Sequence, residues 1–379
     1  MKEISFRTNI FIGENSLDRL MKITSEKVFI VTDPFIEQSG MMKEVTNRLE
    51  NKDNDYFIFS DIVPDPPIET VAAGVKAIQE FGPGIMIAIG GGSAIDAAKA
   101  MKDFSIKLSP HQQAIKFIAI PTTSGTGTEV TSFSVITDEV NQVKHPLVAD
   151  SLLPDEAILD TTLVKSVPAS VTADTGMDVL THAIEAYVST NANDFSDAFA
   201  EKAVQLIFDY LPRCYKDGND LEAREKVHHA SCLAGMAFNM VGLGVNHSIA
   251  HVCGAQFHIP HGRMNALLLT TVIEYNAEIQ GFSAGGQSFA AKKYAQLAKI
   301  VGFPATNSRI GVNSLIKHIN QLKKELHLPV NLRACGITKE KLLASIGKIS
   351  EAALIDGCTP TNPRKPTTKD IESIVEKIL

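Results

Sequence analysis

Up to about residue 165 the chain alternates short, almost wholly apolar runs with longer amphipathic ones, and that alternation leaves few folds open. KVFIVTD, YFIFSDI, GIMIAIG and KFIAIPTT have almost no polar face. A strand without a polar face is covered on both sides, as in a parallel sheet flanked by helices. Between these runs, PIETVAAGVKAIQEF and SAIDAAKAMKDF carry apolar residues at helical spacing. Strand and helix in turn predict a doubly wound, mostly parallel α/β layer. SFSVITDEVNQVKHPLVAD breaks the pattern: two strand-like runs around a polar turn read as a hairpin beside the sheet.

After Pro168 strand-like runs nearly vanish. ASVTADTGMDVLTHAIEAYV, FSDAFAEKAVQLIFDYLPRCY, LEAREKVHHASCLAGMAF and HGRMNALLLTTVIEYN have helical periodicity, with breakers such as KDGND and GLG between segments. GFSAGGQSF reads as a loop. The expected division is an α/β domain over 1–168 and an all-helical domain over 169–379; a chain of 379 residues has room for two cores.

Composition excludes several functions. A net charge of −7 argues against binding nucleic acid or an anionic membrane. No apolar run approaches the ~20 residues of a membrane span. The N-terminal MKEISFRTNIFIG has no signal-peptide apolar region. Five widely spaced cysteines without a CxxC suggest free thiols and a cytoplasmic setting.

Chemistry-bearing residues stand in five places. In ADTGMDVLTHAIEAY, Asp178 and His182 stand four apart, on one helix face among apolar neighbours. An ion pair across one turn would explain them alone. It would leave unexplained the histidines of NHSIAHVCGAQFHIPHG: His247, His251, His258 and His261. One carboxylate with three imidazoles suits a divalent transition metal, but spacing does not choose among these four. The motif is not HExxH, since Ser248 stands where its glutamate would be. Upstream, Gly90, Gly91, Gly92 and Ser93 join a strand to a helix, a turn that offers N–H groups to an anion. IPTTSGTGTEVT adds hydroxyls and glycines after another strand. Asp33, at the end of KVFIVTD, could accept hydrogen bonds from a ribose diol and repel a 2′-phosphate, or simply cap the next helix.

GGGSAIDAAKA, IPTTSGTGTEVT, PDEAILD, ADTGMDVLTHAIEAY, AREKVHHASCLAGMAF and GVNHSIAHVCGAQFHIPHGRMNALLL together resemble the iron-containing (group III) alcohol dehydrogenases. In character the chain is closest to their short-chain alcohol and propanol dehydrogenases. The resemblance spans nearly the whole chain. It implies a dehydroquinate-synthase-like fold, with a metal held by Asp178, His182, His247 and His261 and His251 as proton relay. On the cofactor side it implies roles for Asp33, Asp65, Gly91, Gly92, Ser93, Thr122, Thr123, Thr126, Thr131 and Lys144; asparagine is also used in the family at the position of Asp65. It implies NAD and Fe2+, or Zn2+ as in some relatives, and hydride transfer between small primary alcohols and aldehydes. Self-association is also implied, and association with a bacterial microcompartment is compatible with it. The alternatives are a zinc-dependent polyol dehydrogenase and a non-redox metal enzyme of the same fold.

Overall fold

The structure, a computed structural model, describes residues 4–50, 52–109, 114–139, 143–279 and 288–379, without the side chains of Val143 and Lys144. Most of the GFSAGGQSF loop lies outside the described residues. The chain forms two compact units, Met1–Val167 and Pro168–Leu379.

The first unit is built on β1 (Asn9–Ile12), β2 (Lys27–Val31), β3 (Asp55–Phe59), β4 (Ile85–Gly90), β5 (Lys116–Pro121) and β8 (Glu156–Leu159). They form one sheet in the order β1-β8-β5-β4-β2-β3, and every pairing is parallel. The alternation of side chains along each strand splits the core in two. Phe29, Val31, Met86, Ala88, Phe117 and Ala119 face α3 (Ile68–Phe81) and α4 (Gly92–Leu108). Val28, Ile30, Ile87, Ile89, Ile118 and Ile120 face the turn Ser16–Lys22 and α2 (Met41–Glu50), which follows the short α1 (Pro34–Gln38). Both sets are buried, which is why the strands carry no polar face. β6 (Phe133–Asp138) and β7 (Val143–Val148) pair antiparallel as a separate hairpin, as their sequence predicts. A short α5 (Thr161–Val164) closes the unit.

The second unit contains, among the described residues, only helices and short turns: α6 (Ala169–Val188), α7 (Asp194–Lys216), α8 (Leu221–Val241), α9 (Val245–Phe257), α10 (His261–Ala277), α11 (Phe289–Ile300), α12 (Ser308–Glu325), α13 (Lys339–Ile355) and α14 (Thr368–Lys377). Ile249 of α9, Leu268 of α10, Ile349 of α13 and Ile371 of α14 share one core. α6 is exceptional: every residue from Gly176 to Val188 is buried. Such a helix is normally apolar all round, yet this stretch contains Asp178, His182 and Glu185. Buried ionisable groups demand partners, and those of Asp178 and Glu185 lie on α9 and α10. No helix among the described residues is long and apolar enough to cross a membrane.

Candidate metal centre and nucleotide cradle

The second unit brings three lone pairs to one point. Asp178 Oδ1 lies 3.7 Å from His247 Nε2 and 3.5 Å from His261 Nε2. Around a tetrahedral cation with bonds of ~2.0–2.1 Å, donors stand about 3.3 Å apart, so these atoms need little adjustment. The Nδ2 of Asn265 marks the centre, 2.7 Å from Asp178 Oδ1 and 3.1 Å from each of the two imidazole nitrogens. Its amide is aimed there because Asn265 Oδ1 accepts from Asn246 Nδ2 at 2.8 Å. An electropositive N–H occupies the place where a cation would be stronger, and with one carboxylate and imidazoles around it the donor set fits Fe2+ or Zn2+. His182 lies one turn beyond Asp178, its ring between those of His247 (centroids 4.5 Å apart) and Phe238 (4.7 Å). Three of the four expected ligands thus converge, and the fourth is held alongside.

Electrostatics prepare the same point for positive charge. Burial works to raise the Asp178 carboxyl, but His182, His261 and His247 outweigh it and hold the group well below the usual carboxylate range. Burial likewise works to lower His247, but Glu185 and Asp178 prevail and push it up to about 9. The side chains of His247 and Asp178 are 1% and 6% exposed, against 42% for His261. Two corners of the triangle are therefore buried and the third, His261, is reached by solvent.

Carboxylates behind the imidazoles fix the rings. Glu185 Oε2 bonds His247 Nδ1 at 2.5 Å, while its Oε1 accepts the amide N–H of Asn246 at 2.7 Å. Asp356 Oδ2 bonds His251 Nδ1 at 2.9 Å. The ring of His251 stacks on that of His261, with centroids 5.3 Å apart and planes 13° apart. Such partners set which ring nitrogen is free to act. Glycine makes the assembly possible at Gly262, beside the expected ligand His261: a Cβ there would fall 2.1 Å from the carbonyl oxygen of Asp174 and 3.2 Å from Asp178 Cβ. Sequence reasoning missed Glu185, Asn265 and Asp356. The first two left a signal, since Glu185 follows His182 by three residues and Asn265 follows His261 by four, both helical spacings. A cavity of about 460 Å³ is lined by Tyr215, Phe257, His258, Pro260, Arg263 and His327 among others, and by none of the four expected ligands.

In the first unit the candidate cofactor residues gather at the C-terminal ends of three adjacent strands. Asp33 follows β2, Gly90 ends β4 with Gly91–Ser93 after it, and Thr122–Thr126 follow β5. β3 pairs with one side of β2 and β4 with the other, so the winding reverses there; open sheets bind ligands at such a switch. Gly90 has φ +154, a conformation that side chains rarely adopt, and a Cβ there would meet Ala94 at 2.7 Å and Asp33 Oδ2 at 3.3 Å. Gly91 is the N-cap of α4 and supplies no side chain, leaving the N–H groups of Gly92 and Ser93 for an anion. A Cβ on Gly91 would lie 3.6 Å from Thr123 Oγ1, and one on Gly92 2.7 Å from the methyl of Thr126, so both threonines border the turn. Asp33 is indeed a helix cap, its Oδ1 accepting from Ile36 N at 2.9 Å. Thr122 is buried, its N–H bonded to Gly90 O. Thr131 is buried too, and its hydroxyl meets Lys99 Nζ at 3.1 Å. Asp65 sits in the loop after β3 with φ 54, the left-handed region that asparagine also tolerates. Lys144 pairs through its backbone with Thr137, and its side chain lies outside the described residues.

The threonine loop is pinned from beneath by a residue that sequence reasoning passed over. Lys99, fully buried, contacts Thr128 Oγ1, Thr131 O and Phe133 O, each at 2.7 Å. Burial pushes its ammonium down to about 8 against the pull of Asp96 and Glu129. A lysine in a run of small apolar residues, Ala97 to Met101, was the available sign.

A doubly wound parallel sheet with a glycine turn at its switch, followed by helices that gather a carboxylate and imidazoles, fits the class of nucleotide- and metal-dependent enzymes. The chain belongs to the iron-containing alcohol dehydrogenases: the sequence model "Iron-containing alcohol dehydrogenase" matches residues 7–161, and "Fe-containing alcohol dehydrogenase family, C-terminal" matches 172–379. It is 46% identical over 381 residues to the 1-propanol dehydrogenase PduQ of Citrobacter freundii, covering 100% of both chains. It is 38% identical to the NADPH-dependent butanol dehydrogenase of Clostridium saccharobutylicum, covering 99% of this chain and 97% of that one. Among solved structures, a 1,3-propanediol oxidoreductase superposes with a TM-score of 0.89 at 30% identity, covering 100% of each chain. The iron-containing alcohol dehydrogenase of Thermococcus thioreducens matches equally well, at 30% identity and 0.89 over 99% of each chain. The fold class and the metal-dependent alcohol dehydrogenase activity expected from the sequence are those of the family. The non-redox alternative is not favoured: the relatives are alcohol dehydrogenases, and Arg263, two residues from His261, is committed to Asp174 through contacts of 3.1 and 3.0 Å.

Proposed function

We propose that this protein interconverts a short primary alcohol, of about three carbons, and its aldehyde, using NAD(H) and one Fe2+ per chain. Asp178, His182, His247 and His261 hold the metal, for which Zn2+ is the runner-up. When bound, the cation supplies Lewis acidity toward the substrate oxygen, and the dinucleotide donates or accepts hydride. The observation that carries the reading is the convergence of Asp178 Oδ1, His247 Nε2 and His261 Nε2, open at His261. Similarity to a protein named 1-propanol dehydrogenase supports the chain length.

The protein's own groups divide the remaining work. Asp178, kept ionised, balances the cation's charge, and Glu185 holds His247 with Nε2 forward. His251, 38% exposed and tethered through Nδ1 to Asp356, carries a proton between the substrate oxygen and solvent. In the N-terminal unit the N–H groups of Gly92 and Ser93 take the pyrophosphate, with Gly91 leaving room for it and Thr122, Thr123 and Thr126 at the rim. Thr131 steadies that loop through Lys99, and Asp65 and Lys144 are assigned toward the ribose. Asp33 Oδ2, left over from capping, favours the ribose diol of NAD over a 2′-phosphate. Asp33 matters here because a relative is named as NADPH-dependent. Self-association and a cytoplasmic location complete the reading.

Elemental analysis of purified enzyme, with NADH oxidation followed on ethanal, propanal, butanal and glyceraldehyde, tests it. The expected result is stoichiometric iron and highest kcat/KM on propanal with NADH rather than NADPH. A protein without bound metal that leaves NADH untouched on every aldehyde would overturn it. Replacing Glu185 with glutamine keeps the shape but removes the charge behind His247. Cation affinity should fall about 10–100-fold in chelator competition; unchanged affinity would remove Glu185 from the site.

A further inference from the structure

We propose that His251, Asp356 and Cys358 form a second, regulatory cation site that takes a thiophilic divalent ion such as Zn2+. This rests on the reading of His251 as proton relay only for its consequence, inhibition; the coordination itself does not. One ring nitrogen of His251, one carboxylate oxygen of Asp356 and Cys358 Sγ lie within 4.8 Å of one another. All three residues are half-buried, with 38% of the His251 side chain and 20% of that of Asp356 open to solvent. An ion can therefore enter from solution.

The set is organised beforehand. Asp356 caps the C-terminus of α13 and Cys358 follows two residues later, so one turn presents both. Asp356 Oδ1 accepts from Cys358 N at 2.8 Å and from Ser248 Oγ at 3.2 Å, which aims Oδ2 at His251 Nδ1, 2.9 Å away. Cation bonds of ~2.0 Å to nitrogen and oxygen and ~2.3 Å to sulfur require only that this pair part slightly and Sγ swing inward.

The donors also differ in kind from the first set. Asp178, His182, His247 and His261 offer oxygen and nitrogen alone, whereas this set adds sulfur. Thiolate selects zinc-like ions over Fe2+ or Mg2+. Binding at Cys358 displaces the thiol proton, as thiolate coordination requires. An ion seated here ties up the ring that would move the proton and leaves the first set intact, so inhibition should be reversible.

Cobalt separates the two sites, because only coordination by sulfur produces a thiolate-to-cobalt charge-transfer band in the near ultraviolet. Enzyme with its first site filled is titrated with Co2+. The band should grow to saturation at one further equivalent and vanish in Cys358→Ala and in Cys358→Ser. Zn2+ should inhibit the native enzyme, a chelator should restore it, and Cys358→Ala should need about tenfold more Zn2+ or more for the same inhibition. Without Zn2+, the alanine variant should keep its basal activity. No band, or a band that persists in both variants, overturns the site; equal inhibition of native and variant overturns its regulatory role. The cobalt spectrum reads coordination alone, so its outcome is independent of which aldehyde is reduced.

Discussion

Enzyme carrying His247→Ala should be isolated without stoichiometric metal and with turnover reduced by about 10³-fold or more, while NAD(H) binding is retained. The size follows from the Lewis acid's share of the barrier, several kcal/mol, at a tenfold rate change per ~1.4 kcal/mol. The effect should exceed that of Glu185→Gln because His247 touches two carboxylates as well as the cation point. Glu185 Oε2 is 2.5 Å from its Nδ1 and Asp178 Oδ1 is 3.7 Å from its Nε2. Alanine leaves both carboxylates short of a buried partner, so some loss of stability accompanies the loss of metal. Retained NADH binding is expected because the cradle of Asp33, Gly91 and Gly92 belongs to a different compact unit. The measurements are metal content, NADH fluorescence titration and single-turnover reduction of propanal. Metal-free variant protein with undiminished turnover would end the assignment.

The parallel sheet was legible because its central strands are covered on both faces, which writes runs such as IMIAIG directly into the sequence. The helical unit was legible through period and breakers. The site was legible only where chemistry repeats at helical spacing. Asp178 and His182 announce a shared face, and the glycine turn announces an anion cradle. The choice among four histidines was not local. The structure brings His247 and His261 to Asp178 where α6, α9 and α10 meet, and the full ligand set is the one the resemblance to the family implies. The supporting shell was harder still: Glu185 reaches His247 across 62 positions, Asn265 reaches Asp178 across 87, and Asp356 reaches His251 across 105. The hydrogen bonds themselves are invisible locally; only the helical spacing of Glu185 from His182 and of Asn265 from His261 hinted at the first two, and Asp356 left no hint. Asp33 shows the opposite lesson, since a helix cap and a ligand group compete for one residue when read locally, yet its two carboxylate oxygens can serve both.

Gly262→Ala should cost about 1–3 kcal/mol of stability by overpacking, and more in metal affinity than such a loss alone would bring. The added methyl would sit 2.1 Å from Asp174 O and 2.7 Å from Asp174 C, backbone atoms of a fully structured helix that cannot rotate away. Relief comes only if the first turn of α10 moves off α6. That turn carries His261, and α6 carries Asp178, so the movement widens the 3.5 Å separation on which shared coordination depends. Gly347→Ala supplies the control. It lies in α13, exposed, with nothing within 4 Å of an added Cβ, so it should gain about 0.4–1 kcal/mol from the entropy of the unfolded chain. Thermal denaturation with and without excess metal reads both variants. The expected pattern is a lower melting temperature for Gly262→Ala and a smaller upward shift on adding metal than in the native enzyme, with Gly347→Ala keeping the full shift. A Gly262→Ala enzyme as stable and as metal-responsive as the native one would mean that α10 approaches α6 less closely than this packing requires.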